Sequence, residues 1–401
     1  MIQSRFATLC LLSVMVCSIR ESRADKAEML DLTQQAIALP SNEQAKKIDL
    51  YTKAIQSYKG FYLPWTNRAV CYLNYGRWDN AIADATEAIN LAPEDPHAWG
   101  VRGRAYAGKR QFEQAFRDLS RALNLAKTSE EKRNLLNDRG NAYFSARKYE
   151  EAIKDYQRSV EIDPAFAQGY NNLGIAYRAI GDMDRAIVSL NTSLKHDAVS
   201  PRAFVNRARV FTARNDPMMA IADYDRAVAL DADDASALLN RGMFLFINGQ
   251  KVEALADFEA SLRVDSQNPY AAIWRYIAQS ALGTKDAAKA ELQKFVGSQK
   301  GEAWPLPIAK MLIGQASPED VLKLAPLSDD EPRSKERLAE AHYYLGEYYR
   351  LMGDDSKGKA ELAQAVNQAV PRSQEYILAT VALDGWKSPT PPPPKSIIIN
   401  D

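Results

Sequence analysis

One feature constrains this chain more than any other: residues 133–268 repeat a 34-residue period four times without a gap. Gly140, Gly174, Ala208 and Gly242 stand at that interval. So do Ala142, Ala176, Val210 and Phe244, and again Ala152, Ala186, Ala220 and Ala254. Small residues at a fixed spacing mean that one supersecondary unit is stacked on copies of itself. A repeat array also explains how 401 residues fold without a single core of that size.

Each unit reads as two helices. In the unit that contains Gly174, Tyr170, Leu173, Gly174 and Tyr177 fall at helical spacing, and Gly181 breaks the pattern. Ala186, Leu190 and Ser193 then resume it. The Gly181-Asp182 turn is too short for anything but an antiparallel helical hairpin. Gly174 and Ala186 let the two helices approach closely. The bulky side chain at Tyr156, Leu190, Tyr224 or Phe258 is expected to fill the space between successive hairpins. No hairpin buries its apolar face alone, so the units must stack.

This spacing resembles the tetratricopeptide repeat (TPR): an aromatic, Leu-Gly, Tyr, then Ala, a bulky residue, Ala and Pro. Trp65, Tyr72, Gly76, Ala81, Ala88 and Pro93 match it well, as do residues 143–164. The resemblance implies an all-α fold in which tandem helical hairpins form a right-handed TPR superhelix, an α-solenoid. It also implies that the first helix of each unit lines a concave, protein-binding wall.

On this reading residues 1–24 are a signal peptide. Arg5 supplies the positive charge, an apolar run follows to Ile19, and Ser22-Arg23-Ala24 offers small residues where a signal peptidase reads. The run is short for a membrane span. The expected location is periplasmic or secreted, with anchoring through the N-terminal apolar segment as the alternative. Cys10 and Cys17 leave with the signal, and Cys71 remains as a small core residue on a first helix. Lipidation at Cys17 is disfavoured because Val16 precedes it.

Residues 25–61 form a degenerate N-terminal hairpin, and 62–268 hold six TPR units. The unit at 96–132 is three residues long over the period, and the charged segment 128–132 is expected to lengthen its connection. Residues 269–296 are a divergent unit, in which Tyr276 stands where Gly or Ala belongs. Residues 297–331 leave the period as an irregular helical insertion. Residues 332–385 return to it with a C-terminal TPR unit and a capping helix. The tail 386–401, with Pro391–Pro394, is expected to be disordered and extended.

No catalytic constellation is present. His97, His196 and His342 are far apart and lack Cys or carboxylate neighbours at ligand spacing. No Gly-rich phosphate loop is found. Residues 231–234 lack the Gly and Glu of a calcium loop and read as a turn whose acids start the next helix. The expectation is a non-enzyme without metal or cofactor. Basic and acidic residues balance at 51 each, which gives no electrostatic footprint for nucleic acid.

One charged pattern recurs. Arg falls at the seventh position of a unit and an acid at the twenty-third. The pairs are Arg68 with Asp84, Arg102 with Asp118, Arg139 with Asp155, Arg207 with Asp223, Arg241 with Asp257 and Arg275 with Glu291. Where the Arg becomes Leu173, the acid becomes Ser189; Leu345 with Glu361 breaks this rule. These are expected to be structural pairs across each hairpin.

Function is therefore sought on the concave wall. The expected protein-binding groove comprises Arg104, Asn137, Asn141, Asn171, Arg178, Arg202 and Arg209, followed by an apolar stretch at Leu239, Met243 and Phe246 with Ile247, Ile273 and Ile277. Asn pairs with an extended backbone, and Arg takes a carboxylate bidentately. The apolar stretch should not stay in water. It meets an apolar partner or a second copy of the chain, or residues 304–324 fold back over it.

The last third shows a second likeness. Asn268-Pro269-Tyr270, Trp274, Trp304 and Tyr343-Tyr344-Leu345-Gly346, with a final Gly-Asp unit, resemble the NlpI-type periplasmic TPR lipoproteins. That resemblance implies an exported scaffold or adaptor of the bacterial cell envelope, with protein or peptide partners. A homo-oligomeric assembly protein, a homodimer for instance, is the alternative.

Overall fold

Each 34-residue period becomes one antiparallel helical pair, closed by a turn whose central residue is left-handed. In the computed structural model, residues 23–326, 331–368 and 374–384 are described. The expected signal segment up to residue 22 and the Pro-rich tail from 386 lie outside them. Every regular element among the described residues is a helix, with no strand among them. No helix among them is long and apolar enough to cross a membrane. The chain divides after Gly169 into two compact units.

The first unit contains α1 (23–38) and α2 (Gln44–Ser57), then α3 (Tyr62–Asn74) and α4 (Trp78–Leu91). The pairs α5 (Pro96–Gly108) with α6 (Phe112–Leu125), and α7 (Ser129–Ser145) with α8 (Tyr149–Ile162), complete it. Ser57 Oγ donates to the carbonyl of Asp25 at 3.0 Å, tying α2 back to α1. Cys71 is buried against Ala36 and Tyr51, and burial raises its thiol pKa.

Residues 128–132 depart from expectation. They do not lengthen a connection; they lengthen a helix. Thr128 Oγ1 accepts from Glu131 N at 3.1 Å, and the Glu131 carboxylate accepts back from Thr128 N at 3.0 Å. This reciprocal cap starts α7 at Ser129, so α7 has 17 residues where its neighbour α5 has 13.

The second unit runs from α9 (Ala167–Ala179), whose first turn precedes the division, and α10 (Met183–His196). α11 (Pro201–Ala213) pairs with α12 (Pro217–Leu230), α13 (Ala235–Ile247) with α14 (Lys251–Val264), and α15 (Pro269–Ala281) with α16 (Lys285–Ser298). Asp234 caps α13, accepting from Ser236 N at 2.9 Å. Two seven-residue helices follow, α17 (Leu306–Leu312) and α18 (Pro318–Leu324). The long α19 (Glu331–Leu351), α20 (Asp355–Gln368) and α21 (Gln374–Asp384) end the described chain. Tyr276 is buried, and its hydroxyl donates to the carbonyl of Leu312 at 2.9 Å, so the ring that replaces a small residue is answered by α17.

A short contact recurs within the hairpins. A Cβ added to Gly140 would meet Tyr156 at 2.5 Å, one on Gly174 would meet Leu190 at 2.5 Å, and one on Gly242 would meet Phe258 at 2.6 Å. The bulky residue sixteen positions on therefore rests on bare backbone. The turn shows a second rule. Its fifteenth position is left-handed in Gly76, Gly181 and Gly249, and equally in Arg110, Arg147 and Asn215, at φ 62–63°. An L-residue with a side chain pays about 1–2 kcal/mol there.

Arg147→Gly is accordingly expected to stabilise the fold by about 1 kcal/mol, whereas Gly174→Val should destabilise it by about 1–3 kcal/mol through overpacking on Leu190. Urea denaturation of both variants beside the parent checks the opposite signs.

Candidate functional site

The structural charge pattern is the natural frame for the site. Arg68, Arg102, Arg139, Arg207 and Arg241 each place Nε 2.7 Å from one Asp oxygen, and Nη2 reaches the other oxygen at 2.7–3.1 Å. The partners are Asp84, Asp118, Asp155, Asp223 and Asp257, all buried. Such two-point pairs join the first and second helices of one hairpin. A third bond reaches back to the preceding unit: Arg68 Nη1 donates to Thr52 at 2.9 Å, and Arg139 Nη1 to Ser120 at 3.0 Å. The pairs with Asp84, Asp118, Asp155 and Asp257 hold the pKa of Arg68, Arg102, Arg139 and Arg241 above the usual arginine value despite burial.

Arg275 and Glu291 are looser, at 3.3 Å with the glutamate half exposed. At the naturally altered hairpin, Ser189 Oγ donates to the carbonyl of Arg185 at 2.8 Å, beside buried Leu173. Glu361, whose expected Arg is Leu345, lies 2.6 Å from His342 Nδ1.

The guanidinium positions thus hold the hairpins shut, and in the first unit the residue before each of them, Asn67, Val101 or Asp138, lines open space. In the first unit α3, α5 and α7 line a cleft of about 700 Å³. Its polar floor comprises Asn67, Arg104, Asn134 and Asp138. Arg104 Nε is 3.9 Å from Asp138 Oδ2, too far for a hydrogen bond. Burial raises the Asp138 carboxyl pKa, and the Arg104 charge opposes that rise. At the rim His97 Nε2 lies 3.7 Å from Glu131. The backbone amides of Thr128 and Lys127 hold the Glu131 carboxyl below its usual pKa.

The expected groove residues divide. Arg104 lines the cleft and Arg202 is exposed. Asn137 and Asn171 do not line the groove as expected: both are buried, at 4% and 7% exposure, because the fifth position of their units turns into the stack. Asn141 accepts from the Tyr156 hydroxyl at 2.8 Å, and Asn171 from Asn206 Nδ2 at 2.9 Å. Arg209 donates to Asn240 Oδ1 at 2.9 Å, and Arg178 lines the same small cavity as Arg209.

Leu239, Met243 and Phe246 do not form an open apolar wall either. They pack into a cluster with Ile273, Ile277, Leu306, Ile308, Met311, Tyr343 and Leu378. Of residues 304–324, α17 packs against α16 and against α15, where Ile273 and Ile277 lie, while α21 reaches α13. Trp274 sits fully buried among Phe246, Phe258, Tyr343 and Tyr344, with ring centroids 5.4–6.1 Å away.

Asn67, Asn134 and Asp138 were not among the expected groove residues. For Asn67 and Asp138 the signal is the position just before the recurrent Arg, which reads Asn67, Val101, Asp138, Asn206, Asn240 and Trp274, with Asn172 before Leu173; Asn134 lies off that position.

Among the described residues no cluster of His, Cys, Asp or Glu could hold a metal ion.

Asp155→Ser should cost about 3–5 kcal/mol by leaving Arg139 half-buried and unpaired. The double variant Arg139→Leu/Asp155→Ser, which copies Leu173 with Ser189, should cost less than that single change; a double-mutant cycle of unfolding free energies measures the difference. In the cleft, a carbon-detected titration should place the Asp138 midpoint above that of a free aspartate and move it higher still in Arg104→Gln. A carboxyl whose pKa rises on folding opposes folding above its unfolded value. Its penalty therefore relaxes as pH falls through the folded value.

Comparison with known proteins places this geometry. Residues 140–181 match the family described as TPR repeat, and residues 67–130 and 205–269 match a family described as tetratricopeptide repeat. Residues 167–198 match a further tetratricopeptide repeat family. Among solved structures, YrrB, a TPR protein with an unusual peptide-binding site, is 21% identical, with 47% of this chain and 95% of that one covered, at a TM-score of 0.35. A tetratricopeptide repeat protein from Parabacteroides merdae ATCC 43184 is 17% identical over 63% of this chain and 98% of its own, at a TM-score of 0.47. MamA is 22% identical over 39% and 90%, at a TM-score of 0.34. The helical hairpins within residues 67–130, 140–198 and 205–269 match tetratricopeptide repeats.

Proposed function

We propose that this protein is a non-enzymatic scaffold whose cleft between α3, α5 and α7 binds an extended segment of another protein. Tetratricopeptide repeats typically serve as scaffolds for peptide or protein partners. The observation that carries the reading is the cleft itself. It offers about 700 Å³ of open space in which amide and charged side chains stand among apolar ones such as Leu63, Val70 and Leu135. Asn67 and Asn134 carry both donors and acceptors, as an extended backbone requires. Arg104 and Asp138 attract one another only at 3.9 Å, so a ligand's charges replace that contact at little cost.

The N-terminal apolar run and the likeness of the last third to NlpI-type lipoproteins support an exported adaptor of a bacterial cell envelope. The homo-oligomer alternative rested on an exposed apolar stretch at Leu239, Met243 and Phe246. Those side chains are packed against the chain's own C-terminal helices, which removes that ground.

The test is selection of peptides from a displayed random library on the full chain, followed by titration against the parent and Arg104→Glu/Asn134→Ala. Selected peptides should bind the double variant at least ten times more weakly. Equal affinity for both proteins would remove the cleft from consideration. Light scattering across a dilution series should show a monomer throughout.

A further inference from the structure

A second cavity, of about 180 Å³, lies within residues 170–401 between the repeat wall and α21. Its lining mixes two chemistries: Arg178, Arg209, Tyr224 and Asn240 are polar, and Met243, Ile247 and Ile377 supply apolar surface. Among the described residues no carboxylate lines it.

Arg209 is the informative residue. Its Nε and Nη2 donate to Asn240 Oδ1 at 3.2 and 2.9 Å, and Asn240 is neutral. Arg209 forms no ion pair among the described residues. By contrast Arg207, two residues before it, has the buried Asp223 at 2.7 Å. A partly buried guanidinium keeps its charge, and among the described residues no carboxylate pairs with that of Arg209. The Tyr224 hydroxyl registers the same field: burial raises its pKa, while the charges of Arg209 and Arg178 act to lower it. Few convergent polar groups in a mainly apolar hollow are the usual make-up of a small-ligand site. Cavities of about 150 Å³ admit a benzene-sized body.

We propose that this cavity binds a compact apolar carboxylate, with Arg209 taking the carboxylate and Met243, Ile247 and Ile377 enclosing the body. The site is separate from the cleft of α3, α5 and α7, and does not depend on what that cleft binds. The same chemistry is carried by a free short-chain acid and by the terminal carboxylate of an apolar peptide.

Isothermal titration of the full chain distinguishes them. Hexanoate and 3-phenylpropionate are compared with hexanamide, and an acetylated tripeptide ending in leucine is compared with its C-terminal amide. One-site saturable binding of the acids is expected, at least tenfold tighter than hexanamide. Arg209→Gln should weaken it at least tenfold, and Arg209→Lys should fall between. Ile247→Trp, which fills the cavity, should abolish binding with an unchanged helical circular dichroism spectrum. Binding of the peptide acid without the free acids keeps the carboxylate site and assigns it to chain termini. The proposal is overturned if no acid binds saturably, if hexanoate and hexanamide bind alike, or if a folded Arg209→Gln protein binds as the parent does.

Discussion

Sixteen residues separate the two partners of every contact that closes a hairpin. Gly140 receives Tyr156 on bare backbone, and one residue earlier in each helix Arg139 grips Asp155 at two points. The same adjacency holds at Gly242 with Phe258 and Arg241 with Asp257. A close approach and a buried ion pair thus lie side by side, each requiring the other's geometry. The helices must be near enough for the guanidinium fork to meet the carboxylate. The fork in turn fixes the rotation that aims the bulky ring at the glycine. Burial alone would leave that rotation free, because apolar packing is non-directional. The stack depends on this paired contact, and the side chains left over are those that face the concave wall.

What the wall does depends on the one or two positions beside the Arg. In α7 the residue before it is Asp138, which tolerates water. In α15 it is Trp274, which does not. A ring of that size exposed beside Ile273 and Ile277 would extend an apolar patch well beyond the few hundred Å² that soluble surfaces carry. The chain answers with α17, α19 and α21, which bury it completely. Hence the first unit keeps an open cleft, and the second unit seals its apolar face with its own helices.

The hairpins, their turns and the Arg–Asp spacing were legible because each leaves a residue of distinctive type at a fixed interval. The cleft was harder to read. Counting helical positions from the packed face selected Asn137 and Asn171, which point into the stack, and passed over Asn67 and Asp138, one position further round the helix. A shift of one residue rotates a side chain by about 100°, as 3.6 residues per turn require, so sequence spacing alone does not separate wall from stack. The lengthened α7 was missed for a different reason. A charged run reads as a loop until its Thr128–Glu131 capping box is noticed. The left-handed residues Arg110 and Arg147 leave no compositional trace, because tertiary packing imposes the turn on whatever residue is there.

The sealed wall also explains why an uncompensated charge persists there. Arg207 and Arg209 belong to one helix, and only the first is given an aspartate. If Arg209 served the stack, a partner acid sixteen residues on would be the available solution, since five other hairpins use it. Position 225 does hold Asp225, but it accepts from Arg241 Nη1 at 3.1 Å and so serves the next hairpin. Arg209 is left bonded to a neutral amide at the edge of a cavity that α21 closes with aliphatic side chains. A guanidinium bonded to a neutral amide, with no carboxylate against it among the described residues and unfilled space beside it, is the arrangement of a site whose counterion arrives from outside.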